Sequence, residues 1–564
     1  MTGGLGRSLI SGGGDWVAWI FPMPKERLVP HRALLATLLT ALAGAAPLGC
    51  APPARPGMTT GSGGDSGASG GQGMAAGATG SGASGGSGTG GRAGSGAGTA
   101  GTGNSGGAGN VTGIGGGTGN SAGTGNSAGT GSAGSGNSGG TGNSGGAAGS
   151  GLSRGPTPPM NGANFPFPQN RQLSGCVYPT GYDNNDVLAA YTQWKTDLVT
   201  ANGAGTFQRV QRTSSDGVSA STPLNSTVSE GIGYGMLIAV YMGDPASHTL
   251  FDNLWKYDQL HLDGNNLMNW SIDSSGKVSA SSTMTLGAGG ATDADEDMAF
   301  ALVMADKQWG SGGALNYASL ATAQIGAIWN HEVYNSNLAG PGDSWGPTNL
   351  FQDINISYFA PAYYRVFKAL DGGHAWEAVT QTVFDTIDLA LTGNGNGTNG
   401  LVPAWCSTTS TSCVSSQAGP FNYQYDSCRT PFRLGIDWCW NASKDSAITA
   451  LLKPSRAQSY VSKTSTFFGG VGAANIVDGY NLDGTQASGV HTTAQGQSAA
   501  FIGPAGVGAM SSASNQAFLD AAYARVKTRQ LTIGGAYYDE SWTVLSLLMM
   551  TGNFLDYTAI TPAQ

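Results

Sequence analysis

The sequence predicts an all-α protein folded as an α/α barrel, with two concentric layers of helices. Three observations point there. Apolar residues recur at helical spacing in several segments, as with Val187, Tyr191, Trp194 and Leu198, which gives one apolar face. Other runs, 231–242 and 298–304, are apolar almost all round, the pattern of a helix covered on every side. Finally, the foldable part, from about residue 161 onward, is large for one domain and reads as helices joined by long Gly/Asn/Ser-rich loops. Singly amphipathic helices form an outer ring and fully apolar helices an inner one.

The elements follow in order. An outer-type helix is expected over 186–199 and a buried one over 231–242. A strand-like piece at 267–273 is expected on the loop face. Another buried helix contains 298–304. Further helices are expected over 358–370, 375–391, 431–440, 516–526 and 541–550. Periodicity alone does not count the hairpins.

The chain has 564 residues, but the N-terminal part is not foldable in the same sense. Residues 1–50 read as an export signal. A basic stretch over 23–32 precedes an apolar run, 33–46, that ends in small residues; this places the expected start at Met23. Leu48-Gly49-Cys50 resembles a bacterial lipoprotein processing site, with Pro47 where Leu is usual. Cys50 is therefore the expected lipidation site and gives a possible membrane attachment. An ordinary cleaved signal is the alternative. Residues 51–160 are Gly, Ser, Ala, Thr and Asn with almost no large apolar side chain. Such a segment buries too little to offset the entropy of ordering. It is expected to be a disordered linker spanning about 50–60 Å as a coil of roughly 100 residues. The catalytic domain is expected over 161–564.

The formal net charge is −9 and no basic stripe occurs. This excludes nucleic acid as the natural partner and suits a neutral or cationic polymer. The scattered His and Cys residues match no metal-site spacing, so neither a metal nor a cofactor is expected. Of the six cysteines, Cys406 and Cys413 close a short loop and are the best disulfide pair. Cys428 and Cys439 are expected on one helix, too far apart to bridge.

Three clusters carry candidate chemistry. The first is Ala291-Thr-Asp-Ala-Asp-Glu-Asp-Met, which puts Asp293, Asp295, Glu296 and Asp297 into five positions ahead of an apolar run. Acids at a helix start are stabilised by the dipole, so a solvated N-terminus accounts for Asp295, Glu296 and Asp297. It accounts less well for Asp293, because the preceding Gly-rich run implies a close approach. The second is Ser229-Glu230-Gly-Ile-Gly-Tyr-Gly-Met236. The dipole shifts Glu230 by less than about one pKa unit. Desolvation against Tyr234 and the apolar helix outweighs it and raises the carboxyl, as a general acid requires. The plain alternative is a helix start capped by Ser229. The third is Tyr425-Asp426-Ser-Cys-Arg429. Here a carboxylate kept ionised beside a guanidinium would suit a general base, against the alternative of a surface ion pair worth little. Aromatic side chains interspersed with these motifs, among them Trp270, Tyr358, Trp405 and Tyr537, are candidate platforms for the apolar faces of sugar rings.

These residues resemble glycoside hydrolase family 8, formerly cellulase family D. The stretch Ala291-Thr-Asp-Ala-Asp-x-x-Met-Ala-x-Ala-Leu-Val-x-Ala-x-x-x-Trp309 matches that family's signature. Ser-Glu230-Gly-x-x-Tyr-Gly-Met, Leu267-Met-Asn-Trp270, Ser357-Tyr-Phe-Ala-Pro-Ala-Tyr363 and Tyr425-Asp-x-Cys-Arg429 match its other blocks in order. The resemblance implies a six-hairpin α/α barrel and inverting, endo-acting hydrolysis of β-1,4-linked glycans. It implies Glu230 as general acid, Asp426 as general base and Asp293 as the residue that holds the sugar at the cleavage point. Tyr425 and Arg429 would orient Asp426 and its water. Tyr234, Trp270, Tyr358, Trp405 and Tyr537 are the expected substrate contacts. Inversion needs the two carboxyl groups about 6.5–9.5 Å apart. An Asp at 426 favours the glucanase or xylanase type over the chitosanase branch.

The expected protein is an endo-β-1,4-glucanase acting as a monomer on a polysaccharide, extracellular or at the cell surface. Xylanase and then chitosanase are the alternatives, and a non-catalytic glycan-binding surface protein or a polysaccharide lyase is the rival class.

Overall fold

The computed structural model describes residues 162–562 apart from 215–218, 346–352, 408–412, 415, 417–419, 488–496 and 530–535. The expected export signal, Cys50 and the linker over 51–160 lie outside the described residues.

Twelve α-helices are present among the described residues: α1 Asn184–Leu198, α2 Ser229–Met242, α3 Pro245–Asp258, α4 Thr292–Trp309, α5 Tyr317–His331, α6 Pro361–Leu370, α7 Trp376–Gly393, α8 Thr430–Asn441, α9 Pro454–Val471, α10 Ala499–Ala509, α11 Gln516–Arg529 and α12 Tyr537–Met550. The six even-numbered helices close a ring, α2 on α4, α4 on α6, α6 on α8, α8 on α10, α10 on α12 and α12 on α2. Each odd-numbered helix packs outside: α3 on α2, α5 on α4, α7 on α6, α9 on α8, α11 on α10 and α1 on α12. This is the expected α/α barrel, with six hairpins.

The two layers follow from burial patterns. In α1 the buried apolar side chains are Val187, Ala190, Tyr191, Trp194 and Leu198, one stripe at helical spacing. In α2 every residue but Glu230 is buried, and α10 is buried throughout. Inner helices of this kind need small residues where they meet. A Cβ on Gly233 would stand 3.0 Å from the Asp297 Cβ and 3.2 Å from the Ala294 carbonyl oxygen of α4. Glycine is therefore what lets α2 and α4 approach. Across the layers, Trp194 is fully buried and donates its indole N–H to Ser541 Oγ of α12 at 3.1 Å.

Among the described residues, six short strands make three two-stranded antiparallel pairs. β1 Val199–Thr200 pairs with β2 Arg209–Val210, β3 Thr227–Val228 with β4 Ser271–Ile272, and β5 Asp353–Asn355 with β6 Trp405–Ser407. The expected strand-like piece at 267–273 contains β4.

Helices α3, α5, α9 and α10 were not expected from periodicity. α3 begins at Pro245 behind Asp244, whose carboxylate accepts from the Ala246 and Ser247 N–H groups, a start signal readable in sequence. α10 carries Pro504 and three glycines. Those break the usual helix signals, and only burial on all sides holds such a segment helical.

Two readings of the sequence do not hold. Cys428 is not on a helix with Cys439; it lies free and buried in the turn that precedes α8. Cys439 pairs instead with Cys176, a residue 263 positions earlier, a closure invisible to spacing arguments. Ser229 does not cap α2, because the N-cap position falls on Val228, which offers no side-chain bond. The Cys406–Cys413 disulfide is present.

Candidate active site

The N-termini of α2, α4, α8 and α12 meet at one end of the inner ring, each bringing a polar side chain. α2 brings Glu230, α4 Asp293, and α12 Tyr537, while Arg429 immediately precedes α8. Helix N-termini carry unpaired N–H groups and partial positive charge. Acids placed there are favoured even before a partner is counted.

Arg429 is the hub of the site. Its side chain is 1 % accessible, and Nη1 donates to both Glu230 Oε2 and Asp293 Oδ2. Nε donates to Ser357 Oγ at 3.0 Å, and the guanidinium lies over the Tyr358 ring at 4.9 Å from its centroid. Nη1 also lies 3.4 Å from the Tyr234 hydroxyl. Nη2 has no hydrogen-bond partner among the described residues and sits 3.9 Å from Asp426 Oδ1.

The carboxylates differ in environment. The Glu230 side chain is 19 % accessible and that of Asp426 43 %, so the first is sheltered and the second open to water. Burial pushes the Glu230 carboxyl up to about 7. Arg429 opposes that rise, the Asp293 charge adds to it, and the hydrogen bond from Tyr537 opposes it. Desolvation outweighs the cation, so the carboxyl is raised in the direction expected from the sequence, although the sequence weighed burial against the helix dipole alone. Asp293 is nearly fully buried, and its carboxyl is likewise raised by burial against the opposing pull of Arg429.

Asp426 belongs to the turn before α8. Its Oδ2 accepts from the Trp405 indole N–H at 3.1 Å and from Gln424 Nε2 at 3.2 Å. Tyr425 is its chain neighbour, but the Tyr425 hydroxyl donates to Asp478 Oδ2 at 2.9 Å. Tyr538 donates to the Tyr425 carbonyl at 3.0 Å, which ties the turn to α12.

The expected sugar contacts separate into groups. Tyr537 donates to Glu230 Oε1 at 2.6 Å. Tyr234 is 1 % exposed and stacks edge-on against Trp542, 5.3 Å between centroids, so it supports the site from behind. Tyr358 and Trp405 are partly exposed and pack edge to face at 6.3 Å. Trp270 is partly exposed, with its indole N–H on the Leu286 carbonyl.

Asp295, Glu296 and Asp297 are not a solvated helix start; all three are buried. Asp297 forms a two-pronged pair with Arg433, Nη1 to Oδ1 at 2.5 Å and Nη2 to Oδ2 at 2.9 Å. Glu296 accepts from the Tyr364 hydroxyl at 2.7 Å, and Asp295 from Gln324 Nε2 at 3.0 Å. Burial raises each of these carboxyls. The sequence reading missed Ser357, Gln424 and Asp478 as site residues. Ser357 and Gln424 lie in or beside motifs quoted for the family resemblance. Asp478 carries no local signal.

Paired acids, one sheltered and one open, thus lie around a buried guanidinium at one end of the α/α barrel, an arrangement suited to acid/base hydrolysis. The chain matches the family model described as glycosyl hydrolases family 8 over residues 174–552 and belongs to that family. It is 38% identical over 367 residues to Endoglucanase A of Acetivibrio thermocellus, covering 65% of this chain and 69% of that protein. It is 36% identical over 401 residues to Endoglucanase C of Ruminiclostridium cellulolyticum, covering 69% and 77%. The apo structure of a β-1,3-1,4-glucanase from Paenibacillus sp. X4 superposes with a TM-score of 0.59 at 30% identity, covering 69% of this chain and 98% of that one. No described helix is long and apolar enough to cross a membrane.

Proposed function

We propose that the protein is an inverting endo-β-1,4-glucanase acting on cellulose-type or mixed-linkage glucan. Glu230 is the general acid, Asp426 the general base, and Asp293 holds the sugar at the cleavage point. One observation carries the assignment. Glu230 is sheltered with its carboxyl raised to about 7, while Asp426 is open to water on the far side of the same guanidinium.

In this reading Glu230 gives its proton to the glycosidic oxygen as the C1–O bond breaks. A water attacks C1 from the opposite face, its oxygen bonds to C1, and its proton passes to Asp426 Oδ1. Arg429 Nη2, buried and facing Asp426 Oδ1, is the natural donor to that water. The separation of Glu230 and Asp426 is capped by two ion-pair contacts and the width of one guanidinium. Inversion requires that separation to fall within ~6.5–9.5 Å. Asp293, pinned on Arg429 Nη1, is placed to accept a hydroxyl of the sugar between acid and base. The glucan preference is supported by the activities named for the two relatives and for the superposing structure.

Residues 1–50 serve as an export signal with lipid attachment at Cys50, and 51–160 as a tether that lets a monomeric catalytic domain reach substrate outside the cell. Cell fractionation of the wild type and Cys50→Ala tests the anchor.

The activity test is reducing-sugar release from carboxymethylcellulose, lichenan, xylan and chitosan. Proton NMR of the first-formed anomer accompanies it. Release from the two glucans with an α-anomeric product is expected. Release from xylan alone moves the substrate class, a β-anomer removes the inverting assignment, and no release from any of the four removes the glycanase reading.

A further inference from the structure

We infer that Trp405 is a positioning residue for the general base rather than primarily a sugar platform, and that the β5–β6 pair exists to hold it there. The inference rests on the assignment of Asp426 as base.

The geometry starts at the strand. Trp405 pairs with Asn355 across β5–β6, Cys406 with Ile354, and Ser407 with Asp353. On its other side the same strand is held by the segment that leads into the Asp426 turn. The Ala404 N–H donates to the Asn422 carbonyl at 2.9 Å and the Trp405 N–H to the Pro420 carbonyl at 3.2 Å. The Cys406–Cys413 disulfide closes the end of the strand, and Ser407 Oγ donates to the Asp353 carboxylate. The backbone of Trp405 is thus tied to both neighbours. Its ring is braced edge to face by Tyr358.

What that rigid indole reaches is one oxygen of Asp426. Oδ2 takes the Trp405 N–H and the Gln424 amide, whereas Oδ1 has no hydrogen bond among the described residues and faces Arg429 Nη2 at 3.9 Å. The terminal torsion of an aspartate is broad, and the Asp426 side chain is otherwise half open to solvent. Two N–H donors on Oδ2 select one rotation of the carboxylate and leave Oδ1 as the oxygen with its lone pairs available to water. The same strand pair also serves the guanidinium. Asn355 Oδ1 accepts from Ser357 Oγ at 2.8 Å, and Ser357 Oγ accepts from Arg429 Nε at 3.0 Å. Base and guanidinium, the two groups that bracket the attacking water, are therefore registered on one stapled strand pair. A misplacement of about 1 Å in such a bracket costs on the order of a hundredfold in rate.

The test is Trp405→Phe, which keeps a smaller flat ring for stacking and removes the N–H donor. Steady-state kinetics on soluble glucan oligosaccharides are compared with those of Asp426→Asn in the same assay. We expect kcat to fall about tenfold or more with KM within about twofold. The Cys406→Ser/Cys413→Ser pair should shift kcat in the same direction. A raised KM with unchanged kcat would make Trp405 a sugar platform and overturn the inference, as would wild-type kinetics. If Asp426→Asn itself keeps near-normal turnover, the base assignment falls and the inference with it. If Asp426→Asn is inactive while Trp405→Phe is normal, only the role of Trp405 is lost.

Discussion

Tyr537 donates its hydroxyl to Glu230 Oε1 at 2.6 Å, joining the first turns of α12 and α2 across 307 positions of sequence. The bond favours the charged form of Glu230 and so works against the burial that raises its carboxyl to about 7. As the proposed general acid, Glu230 must be protonated, so activity should fall as pH rises through about 7. Tyr537→Phe removes a stabiliser of the carboxylate and should move that basic limb to higher pH. A pH profile of kcat/KM for the two proteins checks it, and a limb that stays put or moves down would contradict the coupling.

Glu230→Gln keeps the size and much of the hydrogen bonding but cannot supply a proton. Turnover should fall by about 10²–10⁴-fold, the usual worth of a positioned general acid. The melting temperature should hardly change, because the buried Arg429 keeps Asp293. Paired kcat and thermal-melt measurements decide it.

Arg429→Lys should be far more damaging than its charge conservation suggests. A single ammonium cannot reproduce contacts to Glu230, Asp293 and Ser357 from a planar fork. Loss of the guanidinium removes the influence that opposes the raised carboxyls of Glu230 and Asp293. Glu230, its carboxyl raised to about 7, is neutral at pH 5 and charged at pH 8, where burial without the guanidinium costs most. The drop in Tm should therefore be larger at pH 8 than at pH 5, with activity reduced at both.

Asp297→Ala tests whether the acids of α4 are structural. It leaves the Arg433 guanidinium buried without its two-pronged partner. Breaking a buried pair in this way costs about 3–5 kcal/mol. A chemical-denaturation curve should show it, and a change under about 1 kcal/mol would return Asp297 to the solvated helix start.

Asp258, the last residue of α3, is fully buried, and burial pushes its carboxyl from 3.8 up to about 7. The folded state then keeps a proton that the unfolded chain releases near 3.8. This contribution is fully present below pH 3.8 and is lost as pH rises through about 7. Three pKa units correspond to roughly 4 kcal/mol. Asp258→Asn should flatten the fall in stability between pH 4 and 7 and melt higher than wild type at pH 8.

Much of the site was readable because its acids sit at element starts with recognisable neighbours. Glu230 precedes an apolar run, Asp293 follows a Gly-rich one, and Asp426 lies three residues before Arg429 and five before Pro431. Local reasoning, however, pairs Asp426 with Arg429. In the folded chain Arg429 is spent mainly on Glu230 and Asp293, with Asp426 held by Trp405 and Gln424. The aromatic residues show the same limit. Tyr537 and Trp405 were legible as site residues, but the hydrogen bonds their polar edges make were not.

The sequence by itself determined a helical fold in two layers, three candidate carboxylates for the proposed site and the short Cys406–Cys413 link, because periodicity, position at an element start and close spacing are properties of neighbouring residues. Only the tertiary structure decided which helices pack against which around the ring, that Asp295, Glu296 and Asp297 are buried with partners, and that Cys176 meets Cys439. The reason is physical. Burial and charge pairing depend on which segments, 136 or 263 residues apart, exclude water from one another, and spacing along the chain carries no record of that.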